Sequence, residues 1–163
     1  MTEIKKIMVA LAFSEHSKGI IQYAANLARH LDADLVVASI INQRDIQAVQ
    51  TISAMGYNVN GEKYIDDVRG ERNAFLQKLL SEIDFPTEKT TVMFQIGNPI
   101  DELLKLCLTE DIDIIVMGIK GRTNLENVFV GSVAEKMFRR SPVTIVSYRD
   151  PASSQRFKKR IEM

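Results

Sequence analysis

Residues 117–132 read MGIKGRTNLENVFVGS, and they hold three of the chain's eight glycines, at 118, 121 and 131, with Ser132 directly after the last. Glycine lets a loop bend tightly and brings backbone N–H groups close to a ligand. Successive N–H groups in such a loop form an anion-binding concavity. Gly131 and Ser132 also open a helical pattern, whose first N–H groups have no acceptor and whose positive end favours phosphate. Lys120 and Arg122 add local positive charge. A plainer reading uses the same residues, with Gly118 ending a strand, Gly131 saving space and Ser132 capping a helix.

Other chemistry is poorly represented. The single cysteine, Cys107, excludes both an intrachain disulfide and a CxxC metal knuckle, and its setting in LLKLCL is that of a packed helix. His16 and His30 lie fourteen residues apart on one helical stretch, roughly 21 Å along an ideal helix, so they cannot pair within it. His16 falls near a possible ligand, whereas His30 suits the negative end of its helix. Asp32, Asp34, Asp111 and Asp113 stand at the amino ends of strands, away from the glycine stretch. No catalytic residue is assigned and no metal site is expected. The chain lacks GxxxxGK[ST], and its first strand runs into Phe13-Ser14-Glu15 with no glycine fingerprint.

These residues need a scaffold, and the apolar runs supply its pattern. IMVALA (7–12), LVVASII (35–41), TVMFQI (91–96), DIIVMGI (113–119) and PVTIVSY (142–148) do not alternate cleanly with polar residues. They read as strands buried on both faces of a parallel sheet. Between them fall helical stripes. Ile20, Ile21, Ala24, Leu27, Ala28 and Leu31 form one after a cap at Ser14 or Ser17. A long crossover follows, with a short helix near 45–54 and another from about 62 to 83 carrying Phe75, Leu76, Leu79, Leu80 and Ile83. Asn98-Pro99 opens the next helix, where Leu103, Leu104, Leu106 and Leu108 are expected to pack. The last runs from Gly131–Ser132 to Arg139–Arg140. Right-handed crossovers then make one doubly wound α/β domain over 1–149, with a basic tail at 150–163 outside the core.

Lys+Arg and Asp+Glu are 21 each among 163 residues, so bulk charge argues neither for nucleic acid nor for an acidic membrane. The amino-terminal apolar run is short and reads as a strand rather than an export signal, and no run spans a membrane. A cytoplasmic protein is the default.

The pattern Gly118-x2-Gly121-x9-Gly131-Ser132, with VGSVAEKMFRRSPVTIV after it and IGNP at 96–99, resembles the universal stress protein family over essentially the whole chain. The resemblance implies strand order 3-2-1-4-5 and a homodimer paired through the final strand near 143–147. It implies ATP as cofactor, with Mg2+ as accompanying ion, and a stress-response or signalling role that engages a client protein. Carried over, Gly121, Gly131 and Ser132 would contact the phosphates, with Val133 beside them. Met117 and Gly118 would approach the adenosine, and Ile40 would wall the base. The sequence departs from the family's VAxDxS at ALAFS, where Ala12 takes the aspartate position. Two alternatives stay open: a nucleotide-independent dimeric interaction protein of this fold, and a slow ATPase or phosphotransferase.

Overall fold

A computed structural model describes residues 3–119 and 130–162. Lys120, Gly121 and Arg122 therefore lie outside the described residues. Five parallel strands, β1 (Lys6–Ala10), β2 (Asp34–Asn42), β3 (Thr90–Gly97), β4 (Ile114–Gly118) and β5 (Thr144–Tyr148), form a sheet in the order β3-β2-β1-β4-β5. The register places Val9 between Val37 and Val116, so the centre of the sheet is β-branched and dry. Order and class are those expected.

Helices cover both faces, because every central strand is apolar on both. Alternation along β1 sends Ile7, Val9 and Leu11 to one face and Met8 to the other. On the first face lie α1 (Ser17–Leu31) and α3 (Gly61–Glu82), contributing Ile21, Ala24, Ala28, Leu76 and Leu79. On the second lie α4 (Pro99–Thr109) and α5 (Ser132–Arg140), contributing Leu103, Leu106, Cys107, Ala134 and Met137. The helix α2 (Gln43–Ala54) precedes α3 in the long crossover, and α6 (Pro151–Ile161) closes the described chain.

Local chemistry explains most boundaries, with some departures from expectation. The Asn98 side chain accepts from Ile100 N at 3.0 Å and Asp101 N at 3.4 Å, capping α4 as the Asn-Pro pair suggests. The start of α1 differs: His16 is the cap residue and makes no side-chain capping bond. Ser17 Oγ instead accepts from Ser14 N at 3.0 Å, and Ser14 Oγ from His16 N at 3.3 Å, so both serines fold the turn before the helix. On α4, Leu108 is 70% exposed and Cys107 is buried in its place, since 103, 106 and 107 share the inner face and 108 does not. The expected strand at 7–12 stops at Ala10, although Leu11 N still donates to Ala38 O.

The aspartates at the amino edge have architectural work. The Asp113 carboxylate accepts from Lys5 N at 2.7 Å and Lys6 N at 2.9 Å, tying the start of β1 to β4. Asp32 and Asp111 adopt left-handed φ values of 53° and 51°. The segment after β5 is a helix with no buried residue, capped by Asp150, whose carboxylate accepts from Ser153 N at 2.9 Å.

Candidate functional site

At the carboxyl edge of the sheet a cavity of about 400 Å³ opens between the ends of β2, β1 and β4. This is where an open parallel sheet gathers its loops and helix N-termini. Its floor is made of small residues, Ala10, Ala12 and Ala38, with Ile40 and Met117 as apolar walls. Gly118, Gly131, Ser132 and Val133 line the β4 side. Every expected site residue among those described thus faces one cavity. Gly121 is outside the described residues.

Four helix starts reach this cavity. Ser14 comes from the turn into α1, Asn42 caps α2, Pro99 is the first residue of α4, and Gly131 precedes α5. Each start carries N–H groups without an acceptor inside the helix and a partial positive charge. The Asn42 and Asn98 side chains accept from some of them at α2 and α4. The detail at α5 departs from a simple glycine cradle. Gly131 N donates to Ile119 O at 2.8 Å, tying the start of α5 to the end of β4. Gly131 O accepts from Glu135 N at 2.9 Å as the first helical bond. The donors that α5 can offer an anion are consequently those of its first turn, Ser132, Val133 and Ala134.

The opposite wall holds what sequence reasoning missed. Arg72, on α3, is only 6% exposed and lines the cavity. One of its guanidinium nitrogens donates to Ser39 Oγ at 3.0 Å and to Ile40 O at 2.9 Å. The guanidinium lies 4.7 Å from the centre of the Phe13 ring, and Phe13 meets Phe75 edge-on at 5.7 Å. Phe13 has a left-handed φ of 54°, which a bulky residue adopts only when its surroundings hold it there. The Arg72–Phe13–Phe75 clamp is that hold. A signal was present: Arg72 stands four and seven residues before Leu76 and Leu79, on the buried stripe of α3, where an unpaired charge would be costly. Asp45, in the first turn of α2, lines the same cavity.

At the start of α1, His16 lies between carboxylates, 3.4 Å from Glu15 and 3.8 Å from Asp150. Burial pushes the Asp150 carboxyl up, but hydrogen bonds from Ser153 and the His16 charge outweigh it and hold it below the ordinary value. Burial raises the Cys107 thiol, whose Sγ donates to Leu103 O, so this residue is inert packing. No group of three potential metal-ligating side chains exists among the described residues, and no described helix is long and apolar enough to cross a membrane.

The comparison with known proteins agrees with this architecture. The family model described as "Universal stress protein family" matches residues 3–149. Universal stress protein MJ0577 of Methanocaldococcus jannaschii is 24% identical over 156 residues, covering 90% of this chain and 96% of that protein. A solved structure of MJ0577 superposes with a TM-score of 0.68 at 23% identity, over 91% of this chain and 99% of that one. A universal stress protein from Archaeoglobus fulgidus solved with dAMP gives 0.62 at 14% identity, covering 91% and 100%. Another universal stress protein, solved with cAMP, gives 0.60 at 21% identity, covering 91% and 99%. With the family model spanning nearly the whole chain and the strand order in agreement, this chain belongs to the universal stress protein family.

Proposed function

We propose that the protein binds an adenine nucleotide, ATP in particular, in the cavity at the carboxyl ends of β2, β1 and β4, and acts as a dimeric stress-response or signalling module. The carrying observation is the convergence of helix starts on a small-residue floor, with the first turn of α5 facing the cavity. The volume suits a ligand of nucleotide size. The dAMP and cAMP complexes of two structural neighbours support the same ligand class.

In this reading the N–H groups of Ser132, Val133 and Ala134, and the Ser132 hydroxyl, hold the phosphates through the positive end of α5. Gly131 acts one step back, its bond to Ile119 fixing where α5 begins. Met117 and Gly118 border the adenosine, and Ile40 walls the base. ATP would bring its own Mg2+ when magnesium is present. The protein holds and reports the nucleotide, and its signal passes to a client through a cytoplasmic dimer joined at β5, the edge strand of the sheet.

Calorimetric titration of nucleotide-free protein with ATP, with and without Mg2+, tests the reading. Saturable micromolar binding is the expected result. Absence of binding up to millimolar ATP would reject it and leave a nucleotide-independent interaction protein.

A further inference from the structure

The chain is neutral overall, but its charge is unevenly placed. From Arg149 to Glu162 there are five cations, Arg149, Arg156, Lys158, Lys159 and Arg160, against the two acids Asp150 and Glu162. All five cations are exposed, and none forms a salt bridge among the described residues. Asp150 is occupied in capping α6. The helix leaves the carboxyl edge of the sheet, directly after β5. At the opposite edge acids gather, with Asp32 and Asp34 before and at the start of β2 and Asp111 and Asp113 before β4. The molecule therefore has a cationic end and an acidic end.

We infer that α6 docks on an anionic lipid surface, with Phe157 and Ile161 entering the headgroup layer and the cations around them meeting lipid phosphates. The inference is independent of the nucleotide reading.

Three observations carry it. Phe157 and Ile161 stand one turn apart on one face of α6, and Ile161 is 84% exposed. Cations border that face: Arg149, Arg156 and Arg160 lie 4.7, 5.5 and 5.8 Å from the centre of the Phe157 ring. An apolar face edged by long basic side chains is the pattern of a helix lying in a membrane interface. Third, α6 has no buried residue, so turning this face outward withdraws nothing from the core. A soluble polyanion would answer the charges but leave Ile161 in water. The acidic end of a second copy is a poor match, because its acids are already engaged. Asp32 meets Lys89 Nζ at 2.5 Å, and the Asp113 carboxylate holds the Lys5 and Lys6 N–H groups.

The test is co-sedimentation of the full chain with vesicles of phosphatidylcholine alone, or of phosphatidylcholine mixed with an equal part of phosphatidylglycerol. Binding to the mixed vesicles only is expected, and it should disappear near about 1 M salt, where screening acts within roughly 3 Å. Each cation beside an anionic surface is worth about fivefold in binding. Replacing Arg156, Lys158, Lys159 and Arg160 together by Gln should therefore weaken binding roughly a hundredfold or more. Phe157→Ser with Ile161→Ser should weaken it about tenfold. Both variants should melt like the native chain, since neither touches the core. Equal binding to both vesicles, or none to the mixed ones at low salt, overturns the inference. Undiminished binding by the Gln variant does the same. Full binding by the Ser variant would make α6 a general polyanion contact and reject the lipid assignment. Self-association without vesicle binding would give the helix to a second copy instead.

Discussion

At the scale of single residues, Gly131 and Ser132 divide a task that their adjacency makes look shared. Gly131 gives its N–H to Ile119 and its carbonyl to Glu135, so it fixes where α5 begins against the end of β4. Ser132 is partly exposed at the start of α5, and the proposed nucleotide site uses its N–H and hydroxyl. Replacing Ser132 by Ala should weaken ATP binding roughly threefold to tenfold, the net worth of about one hydrogen bond. The melting temperature should stay unchanged, because no side-chain capping bond is lost. Calorimetry beside a thermal melt separates the two effects, and an unaltered affinity would remove the hydroxyl from the site. Ser132 was visible in the sequence because a helix start needs no distant partner. Arg72 was not: its acceptors lie 32 and 33 residues away in the chain, and only folding brings them together.

Elements show where caps couple the body to its surroundings. Asp150 caps α6 through Ser153 and stands beside His16, the residue that opens α1. Asp150→Ala should cost about 1 kcal/mol of local helix stability. Hydrogen exchange should then quicken across 151–161 while the strands keep their protection, since α6 has no buried residue. Acid should act at the same place. The Asp150 carboxyl is held below its ordinary value of 3.8. Its contribution is therefore present above about pH 3.8 and is lost as the pH falls further, through the folded-state value. Exchange at 151–161 should match at pH 7 and pH 5, after correction for intrinsic rates, and accelerate only below pH 4. Acceleration already between pH 7 and pH 5 would reject Asp150 as the acid-sensitive cap. For α4, Asn98→Ala should lower stability by about 1 kcal/mol and disturb the Pro99 wall of the cavity.

The whole molecule depends on a sheet buried on both faces. Leu76 is fully buried and joins α3 to the core on the α1 side. Leu76→Ala should destabilise by about 2–5 kcal/mol in chemical denaturation, through lost burial and the cavity it leaves. It should also loosen the stretch of α3 that carries Arg72, one helical turn away. At the sheet edge, β5 pairs only with β4 among the described residues, and Ile145 and Val146 are half-buried. The proposed dimer through this strand predicts a sedimenting species of about twice 18.4 kDa. A monomer across the working concentration range would reject that arrangement.

Class, strand number, the cap at Asn98 and a helix start at Gly131–Ser132 are local properties, and the sequence by itself determined them, although the cap residue there is Gly131 and not Ser132. Unbroken apolar runs mark strands covered on both faces, and Asn-Pro or Gly-Ser marks a helix start, whatever lies elsewhere in the chain. The glycine stretch likewise pointed to the carboxyl end of the sheet, where Gly118 and Gly131 line the cavity. Only the tertiary structure decided the far wall of the cavity. It buried Arg72 between Ser39 and Phe13, held Phe13 in a left-handed turn, and took the Gly131 N–H for Ile119. Each of these depends on which groups meet in space, and a buried guanidinium is tolerable only where its acceptors and covering ring have already been brought to it.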